Sequence, residues 1–278
     1  MIQITRIDEA TDCPDLASIR TDELERVRKA LAGGATPSGE LVGKNYSVAK
    51  LALYQMQHYK CCYCESIQDT HLWNTVEHYR PKVAAEQDGQ RRPGYWWLTW
   101  TWSNLLFSCE ICNHRKGASF PLSAGSTPLA TEKPPPDKEI PLLLDPSGNE
   151  NPRAHIQFLP VAGSWWPFPR NGSLRGMATL TALKLYHPEL GRVRAGLLEK
   201  WRRHAVALKP AISRVQGVLP SESEDIIRSM WATEVTPHLY TNQQFVALSI
   251  DMLDHAFGSG IRERWGLALE PISLNLSR

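Results

Sequence analysis

Two stretches decide how this chain folds: Cys61-Cys62-Tyr63-Cys64, and Trp102-Ser103-Asn104-Leu105-Leu106-Phe107-Ser108-Cys109-Glu110-Ile111-Cys112-Asn113-His114-Arg115-Lys116-Gly117. Each contains a C-x-x-C pair, Cys61/Cys64 and Cys109/Cys112. Three-residue spacing puts two thiolates on one side of a tight knuckle, and two knuckles close a tetrahedral four-sulfur site suited to zinc. Four protein ligands leave no open position, so such a zinc is structural. Residues 65–108 separate the pairs, more than a simple zinc ribbon holds, so a folded unit is expected between them. A redox C-x-x-C is the competing reading, but it needs a single pair after a strand of a βαβ unit.

Working outward, the chain has 278 residues, enough for one large domain or two modest ones. Its formal net charge is only +2, so a nucleic-acid surface must be a local patch. No apolar run reaches the ~18 residues of a membrane helix, and Met1–Arg6 lacks the apolar core of a signal peptide. A cytoplasmic protein is expected. In a reducing compartment, five of six cysteines between 61 and 112 mean metal rather than disulfides. Cys62 flanks the ligands, and Cys13 reads as a buried or free thiol.

The patterns divide the chain into four parts. Residues 1–60 form a helical N-terminal segment, with helices at 16–32 and 46–59 delivering the chain into Cys61. Residues 61–122 are the motif-bearing core. Residues 123–141, with Pro134-Pro135-Pro136, read as a linker. Residues 142–278 begin with strands and turns: Leu142–Leu144 into a turn at 145–148, a hairpin over 155–159 and 164–168, and a turn signal at Asn171-Gly172. Helices follow near 177–186, 188–210, 222–232, 242–257 and 260–266. The fold class expected is α+β.

Between the knuckles lies Thr75-Val76-Glu77-His78-Tyr79-Arg80-Pro81-Lys82. Hydrolysis of a phosphodiester needs an activated water, charge neutralisation at phosphate and help for the leaving oxygen. An imidazole is a suitable base. A hard cation such as Mg²⁺ takes few protein oxygens, and Glu77 and Asn113 offer two. On a strand over 75–78, Glu77 and His78 point to opposite faces, so one site can use both only where the strand ends.

These residues, with Asn104-Leu105 and Lys116-Gly117, resemble the HNH family. Its ββα-metal motif reads Asp/Glu-His, Asn-Leu, then Cys-x-x-Cys-Asn/His-x-x-Lys-Gly. The resemblance covers 61–122 and implies a zinc-stapled ββα-metal core. It implies His78 as general base, Asn104 orienting the loop that bears His78, and Glu77 and Asn113 holding a catalytic Mg²⁺ or Mn²⁺. Arg80, Lys82, His114, Arg115 and Lys116 would contact phosphate.

Residues 83–103 carry Arg91-Arg92 and Tyr95-Trp96-Trp97-Leu98-Thr99-Trp100-Thr101-Trp102. Tryptophans can stack unpaired bases, but beside a small zinc site they are expected to be core. Val76–Lys82, Gly94–Leu98, Asn104–Leu106 and Lys116–Leu122 are together similar to PtuB-like HNH effectors of Septu and retron-associated anti-phage systems. That likeness implies an ATPase partner of the ABC/SMC-like type, with residues 177–278 as the contact region. The expected function is a metal-dependent endonuclease, on DNA more than RNA. A ribonuclease acting on structured RNA such as tRNA, and a non-catalytic zinc-stapled binding module, are the alternatives.

Overall fold

The computed structural model describes residues 1–87, 89–129, 132, 138–185, 191–219 and 223–273, without the side chains of 191–195 and Ile261. Its N-terminal part is helical: α1 (Glu9–Asp12), α2 (Asp15–Ala32), α3 (Gly39–Val42) and α4 (Lys50–Met56). α2 realises the 3.6-residue repeat read in the sequence, burying Leu16 and Val27. The helix expected over 46–59 is shorter. It opens as a tight turn over Tyr46–Ala49, and α4 stops at Met56 because His58 and Tyr59 adopt left-handed backbone angles.

Next come β1 (Thr75–His78), β2 (Ala84–Gln87), β3 (Gln90–Pro93), β4 (Leu105–Ser108) and α5 (Glu110–Lys116). β1 and β4 pair antiparallel, with Glu77 opposite Leu106 and His78 opposite Leu105. The hairpin β2–β3 and the tryptophan segment lie between them in sequence. One face of the β1–β4 pair supplies Val76, Leu105 and Phe107 to a cluster with Leu16, Val27 and Leu53 from α2 and α4. Trp100 and Trp102 complete that cluster, and Tyr95 and Trp97 are buried in a second, larger cluster that takes Leu106 from the opposite face of the pair, so the aromatic run is largely core.

Residues 123–129 and 138–141 run back alongside each other. Ser123 N donates to Ile140 O and Thr127 N to Lys138 O, so the segment ends close to where it began. The Pro134–Pro136 stretch lies outside the described residues.

The hairpin anticipated downstream is present as β5 (Ile156–Val161) and β6 (Ser164–Pro169). Its turn is Ala162-Gly163, both at positive φ, as a two-residue hairpin loop requires. Asn171-Gly172 instead forms the turn into α6 (Leu174–Ala182), whose first turn is capped by the Ser173 hydroxyl. α7 (Gly191–Val218), α8 (Glu224–Glu234) and α9 (Val246–Trp265) follow. The expected boundaries at 186, 188 and 222 fall outside the described residues. The two helices expected at 242–257 and 260–266 form one element broken at Gly258, which takes φ 62°. α9 and the turn before it pack beside the first knuckle: Glu65 accepts from Ala247 N, and Lys60 Nζ donates to Gln243 O. Among the described residues no helix is long and apolar enough to cross a membrane.

Candidate active site and metal centre

The four knuckle cysteines converge. Cys61, Cys64, Cys109 and Cys112 are buried, and their sulfur atoms all lie within 4.8 Å of one another. Zinc–thiolate bonds of about 2.3 Å separate sulfurs by roughly 3.8 Å in a tetrahedron, so one zinc fits with a small contraction. Each knuckle forms locally. Glu65 N returns to Cys61 O, and Cys109 caps α5 by accepting from Cys112 N. What brings the knuckles together is Gln57, buried at the end of α4. Its amide donates to Lys60 O and Phe107 O and accepts from Phe107 N, clasping the first knuckle to β4 just before the second. Cys62 also bonds β4 through its N–H to Phe107 O. Burial, then neighbouring Cys61, pushes the Cys62 thiol well above its ordinary pKa, which leaves it a protonated bystander.

His78 lies at the end of β1 and is buried. Its Nε2 is 3.0 Å from Thr99 O. A carbonyl only accepts, so Nε2 carries a proton there and Nδ1 is the basic nitrogen in the neutral ring. Nδ1 has no hydrogen-bond partner among the described residues. The Tyr46 ring stands edge-on to the imidazole at 4.7 Å. Burial, followed by the charges of Lys82 and Lys116, pulls the His78 pKa well below 6.5, so the ring stays neutral. The tryptophan run thus has a second effect beyond filling the core: its tight turn presents the Thr99 carbonyl to the imidazole.

Asn104 is also buried, and all three of its hydrogen bonds go to backbone. Oδ1 accepts from Arg80 N at 2.8 Å, and Nδ2 donates to Arg80 O at 3.1 Å and Leu98 O at 3.2 Å. It therefore ties the loop after His78 to the turn before Thr99. Gly94 allows that loop its approach, since a Cβ there would lie 2.6 Å from Pro81 O.

Strand alternation holds for Glu77 and His78. Glu77 turns to the opposite side, where Oε1 meets Lys116 Nζ at 2.6 Å and Tyr63 OH at 3.3 Å. Lys116 is buried as well and donates to His78 O at 2.9 Å. Burial raises the Glu77 pKa, opposed by the Lys116 ammonium. Asn113, half-buried on α5, donates from Nδ2 to Thr75 Oγ1 at 2.6 Å. Glu77 Oε2 and Asn113 Oδ1 carry no hydrogen bond among the described residues, so each has one oxygen that could serve as a ligand to a hard cation.

A cavity of about 430 Å³ runs along β1, lined from Asn74 to His78, and Glu77, His78 and Asn113 all border it. Lys50, Lys82 and Arg91 add positive charge to its walls. The cations anticipated as phosphate contacts separate into three groups. Lys82 faces this cavity, its ammonium 4.8 Å from the Tyr46 ring centre. His114 and Arg115 line a neighbouring cavity of about 520 Å³ that meets the first at Gly117 and Ala118. Arg80 and Lys116 are turned inward. Arg80 pairs with Glu139 at 2.9 Å and packs on the rings of Tyr79 and Phe120, while Lys116 is held by Glu77. Tyr46, Lys50, Thr99 and Gln57 carry no sequence signal that would have marked them. They reach the site through packing alone.

The chain is 30% identical over 226 residues to the Septu protein PtuB of Bacillus mycoides (strain KBAB4), covering 79% of this chain and 74% of that protein. It is 40% identical over 76 residues to the Septu protein PtuB of Bacillus thuringiensis, covering 27% of this chain and 25% of that one. No family model matches the chain. No solved structure matches it.

Proposed function

The chain belongs to the PtuB family of Septu proteins, and from that premise we propose that it is a metal-dependent HNH endonuclease acting in anti-phage defence. The observation that carries this reading is the anchored imidazole. His78 has one nitrogen fixed by Thr99 O and the other unpartnered, in a ring that lines a cationic cavity with Glu77 and Asn113.

In this reading Nδ1 of His78 accepts the proton of the attacking water. The Thr99 carbonyl fixes the tautomer and takes up part of the charge as the ring becomes imidazolium. Asn104 holds the loop so that the imidazole does not swing. Glu77 Oε2 and Asn113 Oδ1 would hold a divalent cation, which when bound neutralises phosphate charge and supports the leaving oxygen. Lys82, Lys50 and Arg91 would draw in the phosphate backbone. The buried four-cysteine set would hold a structural zinc that keeps β4 and α5 in register with the first knuckle. DNA is the favoured substrate, and an ABC/SMC-like ATPase is the proposed partner, contacting residues 177–278.

Supercoiled plasmid and total RNA, each incubated with purified protein and Mg²⁺ or Mn²⁺, test the reading. Wild type with its partner should cleave plasmid, and His78→Ala should not. Cleavage of neither substrate, or normal cleavage by His78→Ala, refutes it.

A further inference from the structure

The loop before β1 carries an exposed apolar pair that neither the core nor the proposed chemistry uses. Trp73 is 81% exposed and Leu72 66% exposed. Every other tryptophan among the described residues is buried or half-buried. The Trp73 indole makes no hydrogen bond or ring contact among the described residues. Leaving so large an aromatic face in water is unfavourable, and Leu72 beside it makes the exposed apolar surface contiguous.

Its position limits what can cover it. The next two residues, Asn74 and Thr75, line the cavity that holds His78, so Trp73 directly precedes the cavity wall in the chain. Lys50, Lys82 and Arg91 line the same cavity, and none is paired with a carboxylate among the described residues. By contrast, Arg20, Arg153, Arg170 and Arg214 all sit in ion pairs. The cavity's own carboxylate, Glu77, is engaged by Lys116. A positive, nucleotide-sized recess with an exposed aromatic plate next to its lining in the chain matches a polymer that alternates anions and flat π-faces.

We propose that Trp73 is a stacking platform for an unpaired nucleobase, and that the site therefore takes a single-stranded or locally unwound strand. This rests on the nuclease reading above. A paired base keeps both faces inside the duplex stack, so the indole can engage only a base that has left it. A strand whose base lies on Trp73 has its phosphates beside Lys50, Lys82 and Arg91.

The test uses full-length protein in a His78→Ala background, so that the probe stays intact. Binding of labelled oligothymidylate, oligouridylate and a mixed-sequence duplex is followed by fluorescence anisotropy. Trp73→Ala should weaken the single strands by about 5- to 100-fold, the range spanned by base–aromatic stacking, and leave duplex binding nearly unchanged. Trp73→Phe should recover most of the loss. A single abasic site walked along the strand should weaken the Trp73-containing protein at one position and have no effect there with Trp73→Ala. Equal single-strand affinity with and without Trp73, or abasic losses that are the same in both proteins at every position, overturns the proposal. The two sugars report whether the platform distinguishes DNA from RNA. The readings fail separately, because His78-dependent plasmid cleavage can stand while Trp73→Ala changes nothing.

Discussion

Replacing Asn104 by alanine would remove three hydrogen bonds to backbone at once, those to Arg80 N, Arg80 O and Leu98 O. The site is buried, so the freed groups are not simply rehydrated. An unsatisfied buried polar group costs about 1–3 kcal/mol. A carbonyl, with two lone pairs, tolerates this better than an orphaned N–H, so the expected loss is about 2–4 kcal/mol. For a chain of this length that lowers the melting temperature by roughly 5–10 °C. The effect on catalysis should exceed the effect on substrate affinity. Asn104 touches no cavity wall itself but holds both the loop that follows His78 and the turn that presents Thr99 O. Misplacing a base by about 1 Å costs about 10²-fold in rate. Steady-state cleavage of a labelled substrate should show kcat down by about that factor with KM little changed. Asn104→Asp separates geometry from simple loss of stability. It keeps the acceptor for Arg80 N but sets a carboxylate against two carbonyls, so it should lower kcat at least as much as alanine. A variant that melts roughly 5–10 °C lower yet turns over at the wild-type rate would refute the positioning argument.

Other expectations follow from the same geometry. Cys109→Ser should abolish stoichiometric zinc by metal analysis and collapse the thermal transition, whereas Cys62→Ser should retain zinc, because Cys62 lies outside the four-sulfur set. Lys116→Met leaves a buried Glu77 without its cation and should cost about 3–5 kcal/mol in chemical denaturation; the double variant Glu77→Gln/Lys116→Met should recover part of it. His204 hydrogen-bonds Ser249 at 2.7 Å, and burial lowers its pKa from 6.5 to about 4. The unfolded chain then binds more protons between those values, so stability is full above pH 6.5 and falls as pH drops toward 4. That loss is up to about 3 kcal/mol, and His204→Gln should flatten the pH dependence of the denaturation midpoint. The same sign applies to His78, whose lowered pKa keeps Nδ1 available in acid. Cleavage should therefore hold its plateau below pH 6.5, and an acid limb centred at or above 6.5 would contradict the buried, neutral imidazole.

How much of this was readable beforehand depends on range along the chain. The C-x-x-C pairs were legible because three-residue spacing fixes two sulfurs locally, whatever surrounds them. The strand over Thr75–His78, the opposed faces of Glu77 and His78, and the hairpin after His155 were legible from period two. The choice of turn was not: Asn171-Gly172 has the stronger composition signal, but Ala162-Gly163 has the register, since it sits where Val161 and Ser164 pair. The phosphate-contact set mixed two kinds of cation for a similar reason. Arg80 and Lys116 look like Lys82 and Arg115 in sequence, and only the positions of Glu139 and Glu77 show that the first two face inward.

By itself, then, the sequence determined which chemical groups are present and which near neighbours share a face: four thiols in two knuckles, one histidine at a strand end, an aromatic-rich insertion. Bonded geometry and helix or strand periodicity act over a few residues, and they are enough for that. The tertiary structure decided which distant backbone carbonyl meets His78, that Gln57 clasps the two knuckles, that Lys116 occupies one side of Glu77, and that Trp73, unlike the other described tryptophans, stands out in water. Those pairings depend on how two hydrophobic clusters pack against opposite faces of a short sheet. No local pattern encodes that, because each contact joins segments whose separation in sequence leaves their meeting to the core as a whole.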